Sequence, residues 1–189
     1  MIRRLSEFNK YVAIAGFKNA KIGDVNYLFD SIRRDLIDVT AVQFFDAKLI
    51  ATWQHLYFAA LNALTALANK TNISNNLAME TLLYASAQRQ ITKATETLGV
   101  KSTTKNVAVL IIAKSQKSAE NVLKIVQKLI SADCDDSVME IDQEKFNNIK
   151  KFFGISSHEL AAKLEKKGLE KEAMVDLVIE HGALLVTRR

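Results

Sequence analysis

From Asn106 to Ala113 the chain carries Val107-Ala108-Val109-Leu110-Ile111-Ile112, six apolar residues in a row with no polar member. A strand with no polar side is stable only where both of its faces are covered. This run is therefore the expected centre of a sheet, with other elements packed above and below it. The expected class is α+β, a small mixed β-sheet of about four strands packed with several helices.

The remaining pattern supplies those partners. Tyr11–Phe17 (YVAIAGF) and Val39–Phe45 (VTAVQFF) read as strands, and Val138–Ile141 as a third, short one. Between the first two, Val25, Leu28, Phe29, Ile32 and Leu36 stand at helical spacing. From Ile50, the residues Trp53, Tyr57, Ala60, Leu64 and Leu67 form one stripe of a long helix. Its other face, His55, Ala59, Asn62 and Ala66, is small and weakly polar, so something is expected to cover it. Ser74 and Asn75 are positioned to cap a helix carrying Leu77, Leu83 and Tyr84; a break near Ala85–Gln88 leads to a second helix with Ile91, Ala94 and Leu98, closed by Gly99 as a left-handed terminator. Ala119, Val122, Val126 and Leu129 make a helix whose outer side holds Lys117, Lys124 and Lys128. A helix through Phe146, Ile149 and Phe153 ends at Gly154, Ser156 with Glu159 forms a capping box, and Leu160–Lys167 and Lys171–His181 read as two short helices separated by Gly168. With 189 residues, 49% of them hydrophobic, no proline and no internal repeat, one domain over residues 1–189 is expected.

Several function classes lack their residues. Cys134 is the single cysteine, so no internal disulfide can form and nothing like the paired cysteines of a zinc ribbon is available, and the thiol is expected to be a small buried or loop residue. His55, His158 and His181 are far apart, and Glu180 and His181 are consecutive, about 100° apart on a helix, so they read as surface or cap histidines. The six glycines are scattered, with no P-loop and no GxGxxG. No segment suits a signal sequence or a bilayer span, so a cytoplasmic chain without a membrane partner is expected. Net charge is +5, from 26 basic and 21 acidic residues, which permits a polyanionic partner without demanding one.

Two features invite chemistry. Glu80 stands in an apolar stretch and needs a partner, either Arg89 across the helix break or an N-terminal backbone amide; a structural role, an ion pair fixing two helices, is preferred over direct ligand contact. Lys70, Gln88, Arg89 and Lys93 form a basic, amide-bearing group near helix ends, with Tyr57 and Tyr84 as stacking surfaces, a combination suited to single-stranded RNA, where stacking is worth roughly 1–3 kcal/mol per base. Two alternatives stand beside this: a helix-turn-helix DNA binder over Leu77–Leu98, and a small enzyme built on Glu80, His55 and Arg89.

The stretch Glu80-Thr81-Leu82-Leu83-Tyr84-Ala85-Ser86-Ala87-Gln88-Arg89-Gln90-Ile91, followed by Ala94 and Leu98-Gly99, gives the pattern E-x-L-L-Y-x-S-x-x-R-Q-I. It resembles the small kinase-binding subunit of the KEOPS complex, the PRPK-binding protein family. The likeness extends from Ala63–Ala68 and Asn72–Ser74 through Val107 to Leu177–Leu185, roughly three quarters of the chain. Ala87 stands where the family's turn has glycine, and Gly182 interrupts the apolar ending. The resemblance implies a non-catalytic subunit, without cofactor or small-molecule substrate, of the machinery that installs threonylcarbamoyladenosine in tRNA. It implies two partners, the kinase-like ATPase subunit and the single-stranded CCA end of tRNA. Carried onto this chain, Lys70, Gln88, Arg89 and Lys93 are the expected RNA contacts, and Leu177, His181, Leu184 and Leu185 the expected docking face for the ATPase.

Overall fold

All seven residues from Val107 to Ala113 are buried, and the other elements are arranged so as to cover them. The computed structural model describes residues 1–33, 38–164, 166 and 168–187. In chain order its elements are β1 (Ile2–Leu5), β2 (Lys10–Lys18), α1 (Val25–Arg33), β3 (Val39–Asp46), α2 (Thr52–Ala68), α3 (Leu77–Ser86), α4 (Ile91–Leu98), β4 (Val107–Ala113), α5 (Gln116–Leu129), β5 (Asp133–Cys134), α6 (Gln143–Phe153), α7 (Ser157–Lys163) and α8 (Glu170–Ala183), with a final 3-10 turn at Leu184–Thr187.

The strand order is β1-β2-β4-β3, and β5 pairs with the end of β2 at Phe17 and Lys18. β4 is thus interior, as its sequence requires. Alternation along the strands divides the core in two. Val107, Val109 and Ile111, with Val42, Phe44, Ala15 and Phe17, face α1 and α5. Ala108, Leu110 and Ile112, with Val12, Ile14 and Phe45, face the layer built from α2, α3, α6 and α8. Each fully buried Val, Leu or Ile contributes about 1.5–3 kcal/mol, so the two-sided cover explains why β4 tolerates no polar residue. The α+β class and the small sheet of four to five strands are as expected. The recorded pairings are all antiparallel, however, so the sheet is not mixed among the described strands.

Local chemistry accounts for the other differences. The strand expected at Val138–Ile141 is a 3-10 turn over Asp136–Met139, because Asp135 accepts the Ser137 N–H at 3.0 Å and closes a turn in place of a ladder. β1 gave no apolar signal because it is an edge: Arg3 and Arg4 are exposed, the terminal ammonium donates to the Ile14 carbonyl at 2.7 Å, and the Arg3 guanidinium lies 4.6 Å over the Trp53 ring. The side of α2 judged weakly polar is largely the covered one, with His55, Ala59 and Ala66 buried, while Trp53 and Tyr57 are only half-buried. The N-cap of α3 is Asn76, whose side chain accepts from Ala78 and Met79, and not Ser74 or Asn75. Gly99 is extended, not left-handed; a Cβ there would stand 2.4 Å from the Thr95 carbonyl oxygen. The capping box of Ser156 and Glu159 is present and starts α7 earlier than Leu160. Leu36 and Lys167, placed in helices from sequence, lie outside the described residues.

α3 ends in a Schellman motif: the Gln88 N–H bonds the Leu83 carbonyl at 3.1 Å, the Ala87 N–H bonds that of Tyr84 at 3.2 Å, and Ala87 itself is left-handed at φ 50°. Left-handed backbone costs a residue with a Cβ roughly 1–2 kcal/mol. Ala87→Gly is therefore expected to stabilise the fold by about 1 kcal/mol, raising Tm by roughly 2–4 °C in a thermal melt.

Candidate functional site

α2 and α3 lie side by side, and two buried polar side chains join them and their turn. Glu80 is fully buried, and its carboxylate accepts the Ile73 N–H at 3.1 Å and the Ser74 N–H at 2.6 Å. Charge-assisted bonds from backbone amides thus hold it, the second of the two partners expected from sequence, and it makes no ion pair with Arg89. His55, one turn into α2, accepts the Ala51 N–H at Nδ1 (3.2 Å) and donates from Nε2 to the Ala85 carbonyl at 2.8 Å. Both ring nitrogens are used by one neutral tautomer, and burial lowers its pKa to about 4. His55 is therefore a core strut, not the surface or cap residue expected from sequence.

Arg89 points elsewhere. It is exposed beyond the Schellman turn and donates to the Leu185 carbonyl at 3.2 Å. Glu80, His55 and Arg89 thus face three separate partners and make no common site, which removes the enzyme alternative built on them. The helix-turn-helix alternative fails on burial: eight of the ten residues of α3 are buried, and the exposed side of α4 offers Lys93 beside Glu96. Cys134 is exposed in β5, and its thiol is pushed up first by partial burial and then by Asp136, the opposite of nucleophile activation.

The turn after α3 meets the end of α8. A Cβ on Gly182 would stand 2.8 Å from the Tyr84 carbonyl oxygen, so glycine is what lets α8 approach α3 this closely. Arg89 ties the same turn to Leu185. One end of the helical layer therefore presents Gln88, half-buried, with Arg89 and Lys93, exposed, near Leu184 and Val186, which are 49% and 46% exposed. The docking residues read from sequence divide here. Leu177 and Leu185 are core, Leu184 is exposed, and His181 is half-buried with Nε2 3.7 Å from Glu159. Val186, exposed beside Leu184, was not among the residues read from sequence, where its one signal is its place after the apolar ending.

Lys70 does not join this group. It is the left-handed residue, φ 57°, that closes the far end of α2, fifteen residues beyond His55 and so roughly 20 Å along the helix. Tyr84 is 4% exposed and cannot stack on a base; Tyr57 packs edge-on between Trp53 and Phe58, with ring centroids 6.2 and 5.6 Å away. Among the described residues no cluster of side chains is suited to a metal, and no helix is long and apolar enough to cross a membrane.

The family model for kinase binding protein CGI-121 matches residues 23–185. The chain belongs to the CGI-121 family. It is also 30% identical over 135 residues to the regulatory protein Cgi121 of Methanocaldococcus jannaschii, covering 71% of this chain and 83% of that protein. This is the family to which the motif around Glu80–Ile91 pointed. Within the CGI-121 match fall both β3–β4 and the whole helical end formed by α3, α4 and α8.

The buried imidazole gives this CGI-121 chain a pH signature. Above its ordinary value of 6.5 the ring is neutral in both states; between 6.5 and about 4 the unfolded chain takes up a proton that the folded chain refuses. Stability should fall across that window as pH drops, by roughly 3 kcal/mol from this group. Denaturant titrations from pH 7 to 4 measure it, and His55→Gln should show a correspondingly shallower decline.

Proposed function

We propose that this chain is a non-catalytic subunit of a KEOPS-type tRNA threonylcarbamoyladenosine machinery, one that binds a kinase-like ATPase subunit and the single-stranded CCA end of tRNA. Membership of a kinase-binding family supports the first half. The observation that carries the rest is the Arg89–Leu185 bond, which unites a basic turn and an exposed apolar turn at one end of the helical layer. Exposed guanidinium and ammonium groups suit phosphates, and an exposed apolar pair with a polar margin suits a protein partner.

In this reading Gln88, Arg89 and Lys93 receive the RNA end, and Lys70 is left out of that group. Leu184 and Val186 make the apolar contact with the ATPase, His181 forms its polar margin, and Leu177 and Leu185 support it from within the core. The protein's contribution is binding and orientation; bond-making belongs to other subunits.

Two measurements test this. Leu184→Glu places a carboxylate in the apolar contact and should abolish copurification with the ATPase while leaving the isolated chain folded; full retention would move the docking face elsewhere. Arg89→Glu with Lys93→Glu should weaken tRNA binding by roughly tenfold or more at low salt in a gel-shift series. Removing CCA from the tRNA should weaken the native protein comparably and the double variant little.

A further inference from the structure

α5 carries a lysine stripe that neither the core nor the proposed helical-end site uses. Lys117, Lys124 and Lys128 are spaced by seven and four residues, so they share one face over roughly 16 Å. The opposite side of the helix, Ala119, Val122 and Val126, is buried against the sheet. All three lysine side chains are exposed, and none of their ammonium groups makes a hydrogen bond or ion pair among the described residues. The nearby acids are engaged: Glu120 accepts from Gln116 at 2.8 Å, and Asp133 from Asn19 at 3.4 Å. At the end of the helix Lys124 and Lys128 border a depression of about 470 Å³ with Gln127, Ser131 and Asp133. Positive charge continues beyond it, because the Lys21 N–H bonds the Ile130 carbonyl at 2.8 Å and the Lys105 carbonyl accepts the Ala20 N–H at 2.9 Å, with both lysines exposed.

Helix stability accounts for only part of this. Lys128 in the last turn complements the helix dipole, but Lys117 in the first turn opposes it. We propose that this face contacts the phosphate backbone of helical RNA, namely the paired region of the tRNA whose free end the proposed function assigns to the turn after α3; the inference rests on that reading. α5 has no aromatic residue for stacking unpaired bases, which single-strand sites employ. A protein partner would bury an apolar centre, yet Leu129, at 36%, is the one large exposed hydrophobic residue of α5. Point charges strung along 16 Å instead match the closely spaced phosphates of a duplex, which in double-stranded DNA give roughly one negative charge per 1.7 Å of axis.

The test replaces Lys117→Gln, Lys124→Gln and Lys128→Gln together in the full chain, with thermal melts to verify folding and the triple Lys→Arg variant as control. Binding is measured over a range of KCl concentrations to one tRNA with and without its CCA end. The glutamine variant should lose about tenfold or more in affinity for both RNAs at low salt, and its log–log salt dependence should become shallower by roughly two to three. The arginine variant should keep both. If removal of CCA has no effect on the native chain while the glutamine variant still flattens the salt dependence, end capture fails and the stripe stands. Unchanged salt dependence for both RNAs overturns the stripe. So does intact RNA binding with loss of a copurifying KEOPS subunit, which would make an acidic protein surface the occupant.

Discussion

The central constraint is the two-sided burial of β4. Because Val107–Ala113 offers no polar face, the sheet can be stable only with helices on both sides, and the chain divides its helices accordingly. α1 and α5 take one face. α2, α3, α6 and α8 take the other. Their separation follows: the lysine stripe rides on the helix behind the sheet, while the basic turn and the exposed leucine belong to the layer in front.

Within that front layer, position is set by a few polar ties embedded in apolar packing. A buried carboxylate without a counter-ion is costly unless several donors meet it, and the amides of Ile73 and Ser74 do so for Glu80. The same segment is joined to α2 by His55 at its other end. α3 is therefore pinned at both ends, and the turn that follows inherits a defined direction. Arg89 starts from that turn, so its reach toward Leu185 is a product of the ties beneath it.

Much of this was legible in the residues themselves. Apolar runs located β2, β3 and β4, and helical spacing located the principal helices, because each signal reports burial on one or two faces. The family was legible from the motif at Glu80–Ile91. What escaped depends on contacts distant in sequence. β1 is an edge strand whose exposed arginines give no apolar alternation, and the 3-10 turn at Asp136–Met139 is decided by a side-chain acceptor. Grouping Lys70 with Arg89 followed nearness in sequence, but α2 and α3 put these residues at opposite ends of the layer. The partner of Arg89 stands 96 positions away, and no local pattern could have named it.

The Arg89–Leu185 bond has one further consequence. The guanidinium that would greet a phosphate is already tethered to the backbone of the turn that would greet a protein. In the proposed reading, a guest that moves the Leu185 carbonyl would disturb that arginine's bond, and an anion that draws the arginine away would remove one tie on the terminal turn. Whatever coupling that bond carries between the two sites is reciprocal, each guest changing the affinity for the other by the same factor.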